Sequence, residues 1–135
     1  MKKVSPYLID FPKISDSRGN LTFFENGIDF PFKIKRIFYL FDVPSGATRG
    51  GHAYLNQSEI IIPLNGSFHV VYLDFEFKEK KVFLNKPNVG LFLPNLTWRH
   101  VENYSTNSVS LHISDSDYTK NDYIYDVEFF KKFNR

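Results

Sequence analysis

Short runs of apolar, β-branched and aromatic residues, separated by turn residues, follow one another along most of the chain. Such runs predict strands, because these side chains suit a pleated, half-buried surface. Asn65-Gly66 indicates a hairpin turn, and Pro63 marks the end of the strand before it. The predicted strands are residues 21–25, 35–42, 59–62, 67–73, 81–84, 89–93, 98–102 and 109–113. No helical pattern separates them, so the series predicts an all-β sandwich or barrel.

Only the C-terminal segment has a helical pattern. Between residues 122 and 133, Val127, Phe130 and Phe133 recur at helix-compatible spacing, with Lys131 and Lys132 in the last turn. We therefore predict a short C-terminal helix. At the other end of the chain, residues 4–14 could add a strand, either to this subunit or to a partner.

The composition indicates one strand-rich globular domain. The chain has 135 residues, of which 18% are aromatic and 42% hydrophobic, and we expect a single domain over residues 1–135. The absence of Cys excludes disulfides, a thiolate nucleophile and Cys-ligated metals. A formal net charge of +2 gives no reason to expect nucleic-acid or membrane binding. Without a signal-like apolar run near the N-terminus, we expect a soluble cytoplasmic protein.

His52 is the histidine with the most informative neighbours. It lies in Arg49-Gly50-Gly51-His52-Ala53-Tyr54, where the alternation of a strand puts His52 and Tyr54 on one face. The two glycines allow the backbone to bend or a ligand to approach closely. His69 lies in a hairpin strand without an obvious partner, so we interpret it as structural.

The spacing around His52 resembles the two motifs of the cupin superfamily. The matching positions are Gly46, His52, Tyr54, Glu59 and Gly66, followed by Pro94, Leu96, Arg99 and Asn103. This resemblance implies a double-stranded β-helix, that is, a jelly-roll barrel. In metal-binding cupins two His, the Glu and a later His hold the ion. Here Tyr54 and Arg99 stand at two of these positions, and a guanidinium has no lone pair to donate to a metal. We therefore expect a site without metal, built for an anionic or carbonyl-bearing ligand.

A second resemblance extends over nearly the whole chain. Its residues are 16–21 (DSRGNL), 34–42 (IKRIFYLFD), 49–53 (RGGHA), 64–67 (LNGS), 89–91 (VGL), Trp98, 114–115 (SD) and 122–124 (DYI). In this order they resemble the sugar 3,4-ketoisomerase family. The resemblance implies action on dTDP-4-keto-6-deoxyglucose in deoxyaminosugar biosynthesis, with no metal and no cofactor. It also implies a cupin fold and a domain-swapped homodimer.

The chain departs from that family at two positions. The family usually has a second His, the expected carbon acid/base, where this chain has Tyr54. It also tends to have a His directly after the Trp, where this chain has Arg99. His52 is then the best available base, since its ordinary pKa is about 6.5. Tyr54 suits an oxyanion donor or a proton relay. Tyr39 matches a family position that faces the sugar, although a core aromatic beside Phe41 is an equal alternative.

The substrate's remaining contacts are assigned to a few residues. Arg18, Arg49 and Arg99 are three of the five Arg in the chain, and Arg suits bidentate diphosphate contacts. An ion pair between Arg18 and Asp16 or Asp42 is an equal alternative. Trp98 is a candidate for contact with the sugar nucleotide. His112 shares a strand face with Ser108, Ser110 and Ser114, and it belongs to the site only if that face lines the barrel.

Two other functions remain open from the sequence alone. The first is a 3,5-epimerase-like activity on the same 4-keto sugar, because that related family also has Arg-Gly-x-His and uses a Tyr as acid. The second is a catalytically lapsed cupin that only binds a sugar nucleotide, because the usual second His is absent.

Overall fold

The computed structural model describes residues 3–28 and 30–133, and the strands of these residues account for most of the regular structure. The elements are β1 (Tyr7–Asp10), β2 (Lys13–Asp16), β3 (Gly19–Thr22), β4 (Arg36–Leu40), β5 (Arg49–Tyr54), β6 (Glu59–Asn65), β7 (Phe68–Leu73), β8 (Glu79–Leu84), β9 (Val89–Leu93), β10 (Arg99–Glu102), β11 (Val109–Ser114), β12 (Tyr123–Ile124) and the helix α1 (Val127–Phe133). A single 3-10 turn, Lys120–Asp122, precedes β12. No helix in the described part of the chain is long and apolar enough to cross a membrane.

Two antiparallel sheets of five strands pack against each other. Their strand orders are β1-β9-β6-β11-β4 and β12-β5-β10-β7-β8, and β2 and β3 form a separate hairpin. Strands adjacent in sequence therefore often lie in different sheets, as in a jelly roll. The all-β jelly-roll barrel and the short C-terminal helix predicted from the sequence are confirmed.

Strand β6 is buried on both faces, which explains its uninterrupted apolar run. Ile61 packs between the two sheets with Phe68, Val70 and other core residues. Ile60 and Ile62 face the other way and pack against Phe11, Phe30 and Ile113. A strand covered on both faces has no polar side to alternate with, so its sequence is continuously hydrophobic.

Pro63 does not end β6 as predicted, because the strand continues to Asn65. The pairing with β11 shifts register opposite this proline, between Val109 and Ser110. Such an irregularity accommodates a residue that has no N–H to donate to the ladder. The hairpin turn itself lies where the sequence predicts it, with Gly66 at a φ of +71°.

The predicted helix over 122–133 is only half helical. Its first part forms the 3-10 turn and β12, and α1 begins at Val127. The carboxylate of Asp126 accepts hydrogen bonds from the backbone N–H groups of Glu128 and Phe129, at 2.9 and 3.2 Å. This N-cap fixes the start of the helix. The N-terminal segment adds a strand, as the sequence allowed, and β1 pairs with β9 of the same subunit.

Candidate active site

A cavity of about 210 Å³ opens between the two sheets. Strands β4, β5, β6, β10, β11 and β12 all contribute side chains to it. The lining residues are Phe38, Leu40, Arg49, Gly50, His52, Tyr54, Glu59, Ile61, Arg99, Val101, His112, Tyr123 and Tyr125. Polar and charged groups are therefore held inside a wall that is otherwise aromatic and aliphatic, as is typical of small-molecule sites.

Strand β5 presents His52 and Tyr54 to this cavity, on one face as the alternation predicts. Gly50 has a φ of +79°, a left-handed conformation that favours glycine, and it brings the backbone close to the His52 ring. The His52 ring meets the Tyr54 ring edge-on, with centroids 4.6 Å apart. The Nε2 atom of His52 is buried, and no atom of the described residues forms a hydrogen bond with it.

The surroundings keep His52 uncharged. Burial lowers the pKa of His52 to about 3, and the nearby positive charge of Arg99 acts in the same direction. An imidazole in this state is neutral at physiological pH and retains a lone pair on one ring nitrogen. His52 is therefore unprotonated and available as a base, although its lowered pKa makes it a weaker base than a free imidazole.

Tyr54 is held in its protonated form. Burial raises the pKa of Tyr54, and the negative charge of Glu59 raises it further. Its hydroxyl donates a long hydrogen bond of 3.4 Å to the hydroxyl of Tyr123. Tyr54 can therefore donate a hydrogen bond to a developing oxyanion without losing its proton.

A buried ion pair lies beside these two residues. Arg99 Nη1 donates to Glu59 Oε1 at 2.7 Å, and Arg99 Nε donates to the carbonyl of Thr97 at 3.0 Å. The guanidinium also lies over the Tyr54 ring, 5.0 Å from its centroid. Burial alone would raise the pKa of Glu59, but Arg99 and His112 outweigh it and the pKa is lowered. The cavity thus holds a permanent cation whose Nη2 atom has no hydrogen-bond partner within residues 3–28 and 30–133.

His112 lines the cavity, so the polar face of β11 is the inner one. Its Nδ1 lies 3.7 Å from Glu59 Oε2, and its Nε2 lies 3.0 Å from the hydroxyl of Ser110. Its ring stacks on Phe38 with centroids 4.6 Å apart. Among residues 3–28 and 30–133, no three His, Asp or Glu side chains are arranged to hold a metal ion.

Three of the predicted site residues lie outside the cavity of one subunit. Tyr39 is 59% exposed on the outer face of β4, because the alternation of the strand turns Phe38 and Leu40 inward instead. Trp98 faces away from the cavity and packs near Phe130, with ring centroids 5.9 Å apart. Arg18 lies between β2 and β3 and forms an exposed ion pair with Asp16 at 2.7 Å. Arg49, Arg99 and His112 do line the cavity.

Two tyrosines of the cavity wall were missed from the sequence. Tyr123 and Tyr125 stack with centroids 5.5 Å apart, and Tyr123 lies 5.1 Å from His52 by the same measure. Their segment, Asp122-Tyr123-Ile124-Tyr125, alternates as a strand does, with Ile124 buried on the opposite face against Ala53 and Phe130. This alternation indicates a strand, but the helical spacing of the residues that follow led us to predict a helix over the whole segment.

Comparisons with known proteins agree with this geometry. The chain matches the family model described as FdtA: WxcM-like, C-terminal, over residues 4–135. It is 34% identical to the TDP-4-oxo-6-deoxy-α-D-glucose-3,4-oxoisomerase of Aneurinibacillus thermoaerophilus over 126 residues, 93% of this chain and 90% of that protein.

Two crystal structures from Thermoanaerobacterium thermosaccharolyticum are among the similar ones. The sugar 3,4-ketoisomerase QdtA in complex with TDP has a TM-score of 0.92 and 35% identity, covering 96% of this chain and 93% of that one. A histidine-to-asparagine mutant of QdtA in complex with TDP-4-keto-6-deoxyglucose has a TM-score of 0.92 and 34% identity, with the same coverage.

A 3'-monoepimerase from Streptomyces bikiniensis is more distant. At 17% identity and a TM-score of 0.77, over 87% of this chain and 67% of that one, it shares the fold alone. The family match and the two relatives at about one-third identity lead to one conclusion. This chain belongs to the FdtA family of WxcM-like C-terminal domains, and the relatives it matches over most of its length are sugar 3,4-ketoisomerases.

Proposed function

We propose that this chain is a 3,4-ketoisomerase acting on a TDP-linked 4-keto-6-deoxy sugar, with TDP-4-keto-6-deoxyglucose as the substrate. One observation carries this assignment. A neutral, buried His52, whose Nε2 has no hydrogen-bond partner in the part of the chain that the structure describes, faces the same cavity as the phenol of Tyr54 and the guanidinium of Arg99. The names of the similar enzymes, and the ligand of one of them, support the choice of sugar.

The first step is removal of the C3 proton, which the C4 ketone makes acidic. His52 accepts this proton through its free ring nitrogen, and an enediolate forms. Negative charge then develops on the C4 oxygen. Arg99 and the hydroxyl of Tyr54 stabilise it inside the cavity, where low polarity strengthens both contacts.

The second step delivers the proton from His52 to C4. The C3 oxygen becomes the ketone and the C4 oxygen becomes a hydroxyl, so the sugar is isomerised with no change in its overall composition. Arg49 is exposed where it lines the cavity, and this position suits a contact with the diphosphate of the nucleotide.

We further propose that two copies of the chain form a homodimer. The edge strand β4 carries exposed Ile37 and Tyr39, and the hairpin of β2 and β3 carries exposed Ile14 and Leu21. Exposed apolar residues on a sheet edge favour association with another chain. Tyr39 and Arg18 would contribute to a substrate site through such an assembly, with exchanged strands as the family resemblance implies.

Incubation with TDP-4-keto-6-deoxyglucose in deuterated water tests the activity. An isomerase yields a 3-keto product, which NMR identifies. Mass spectrometry detects deuterium at C4 of this product wherever the proton held by His52 exchanges with solvent before it is delivered. Deuterium at C3 and C5 of a 4-keto product would instead support an epimerase. Binding of the sugar nucleotide without any exchange would support a catalytically lapsed protein.

The variant His52→Asn tests the proposed base. We expect turnover to fall by about 10²-fold or more, while the affinity for TDP is unchanged, because Asn cannot accept the C3 proton. The matched control is His69→Asn. His69 is outside the cavity and accepts a hydrogen bond from Asn103 at 3.1 Å, so turnover should be preserved. A fully active His52→Asn variant would rule out His52 as the base.

A further inference from the structure

A 3,4-ketoisomerisation moves two protons, and His52 accounts for only one of them. The proton on C3 passes through His52 to C4. The hydroxyl hydrogen of O3 must leave as the C3 ketone forms, and O4 must gain a hydrogen as the C4 ketone becomes an alcohol. While His52 holds the carbon proton, its free nitrogen is occupied. The oxygen-bound proton therefore needs a separate route.

The charged groups of the cavity do not provide that route. A guanidinium can donate hydrogen bonds but cannot accept a proton, so Arg99 can only stabilise the oxyanion. Glu59 is held as a carboxylate by Arg99, to which it is hydrogen-bonded at 2.7 Å. A group that both gives and takes a proton is required. The imidazole of His112 has both ring nitrogens occupied, with Ser110 at 3.0 Å and Glu59 at 3.7 Å. A phenolic hydroxyl both gives and takes a proton.

Two such hydroxyls are joined in the cavity. The backbone pairing of β5 with β12 sets Tyr54 directly opposite Tyr123, the position in which cross-strand side chains meet. Their hydroxyl oxygens are 3.4 Å apart. Both residues line the cavity, and both rings lie close to His52, with centroids 4.6 and 5.1 Å away.

We propose that the hydroxyls of Tyr54 and Tyr123 form a proton relay between O3 and O4 of the sugar. One tyrosine hydroxyl donates its proton to O4 and takes up the proton of the other tyrosine hydroxyl. That second hydroxyl in turn accepts the proton of O3. Three O–H bonds break and three form, and both tyrosines end as neutral phenols. The proposal rests on the proposed 3,4-ketoisomerase activity and adds Tyr123 to its machinery.

Two features of the structure support a concerted relay. Burial raises the pKa of Tyr54, which disfavours a free tyrosinate and therefore favours simultaneous uptake and release of protons. The separation of 3.4 Å is longer than the usual O–H···O distance of about 2.7–2.8 Å. A bond of this length leaves room to tighten once the sugar is bound.

The test compares Tyr54→Phe, Tyr123→Phe and the double variant. Phenylalanine keeps each ring, including the face of residue 54 over which Arg99 lies. If the two hydroxyls act as one unit, each single variant should lose about 10²-fold in kcat, and the double variant should lose no more than the worse single one. Losses that multiply in the double variant would overturn the relay.

Tyr118→Phe is the matched control. Its ring lies 6.0 Å from that of Tyr123 but does not line the cavity, and it is 64% exposed. Its turnover should equal that of the unmodified protein. The affinity for TDP and the midpoint of thermal unfolding, measured for every variant, identify any loss that comes from misfolding.

Hydrogen exchange at C3 separates a relay from a structural role. In Tyr123→Phe, His52 can still remove the C3 proton, exchange it with solvent and return a deuteron, so the unreacted substrate should take up deuterium faster than product forms. The relay would be overturned if exchange at C3 and turnover fell equally in Tyr123→Phe. It would also be overturned if the turnover of this variant stayed within about twofold of that of the unmodified protein. If the unmodified protein forms no 3-keto sugar at all, the proposed function fails and the relay fails with it.

Discussion

Two arginine–carboxylate pairs of the same length have different consequences, because their surroundings differ. Arg18 and Asp16 are 2.7 Å apart with side chains 88% and 44% exposed, whereas Arg99 and Glu59 are 2.7 Å apart with side chains 1% and 2% exposed. Water and salt screen the first pair, so it contributes little to stability. Loss of one partner from the second would leave an uncompensated buried charge, at a cost of about 3–5 kcal/mol. Only the buried pair can hold a cation permanently beside the base.

The pKa of His52 makes stability depend on pH in a defined direction. Burial and Arg99 lower it to about 3 in the folded protein, against about 6.5 in an unfolded chain. As the pH falls below about 6.5, only the unfolded state binds the proton, so stability is lost. We expect this group to lower the free energy of unfolding by about 2 kcal/mol between pH 7 and pH 5.

Urea unfolding of the unmodified protein and of His52→Asn at both pH values measures this contribution. The variant retains all carboxylates but lacks the imidazole of residue 52. Its free energy of unfolding should therefore fall by about 2 kcal/mol less than that of the unmodified protein between pH 7 and pH 5. Equal losses in the two proteins would contradict a buried, neutral His52.

At the scale of elements, the site depends on how β12 is fixed to β5. The carboxylate of Asp122 accepts hydrogen bonds from the backbone N–H groups of Asn56 and Gln57 and from both of their side-chain amides, at 2.9–3.2 Å. Leu55 also donates its N–H to the carbonyl of Asp122, at 2.8 Å. These bonds hold the loop after β5 against the start of β12, and so they hold Tyr123 opposite Tyr54.

We expect Asp122→Asn to weaken this connection. An amide has one acceptor oxygen and places an NH2 against existing donors, so stability should fall by about 2 kcal/mol. Turnover should fall as well, because Tyr123 would no longer be fixed. The control is Asp117→Asn, an exposed residue three positions before the 3-10 turn. Thermal unfolding and turnover of both variants check this, and equal effects would exclude a specific role for Asp122.

The elements that could be predicted from the sequence are those with a strong local pattern. Residues 89–93 were predicted with the bounds that β9 has, and the shared face of His52 and Tyr54 follows from alternation within one strand. The same alternation shows that Arg99 and Trp98 cannot both face the cavity. Strand β12 was missed, because the helical spacing after it concealed a short alternation. Only the pairing with β5, about seventy positions earlier in the chain, fixes these two residues as a strand. Tyr123 was missed for the same reason.

For the whole molecule, both edges of the first sheet expose apolar side chains, and the run along β4 is the longer one. Strand β1 is one edge, and β4 is the other. The outer face of β4 and the residue that follows it carry Ile37, Tyr39 and Phe41, which are 54%, 59% and 61% exposed. A monomer rarely leaves apolar side chains contiguous on an open edge, because other chains can pair there. This edge is therefore where we expect the proposed homodimer to form.

The substitution Tyr39→Glu tests that assembly, because a carboxylate on the apolar edge would be desolvated in the interface without a partner. Sedimentation equilibrium should give a dimer for the unmodified protein and at least about tenfold weaker association for the variant. Phe129→Glu is the control, since Phe129 is 56% exposed but lies on α1. A monomeric unmodified protein would contradict the homodimer. A dimer weakened equally by both substitutions would place its interface elsewhere than β4.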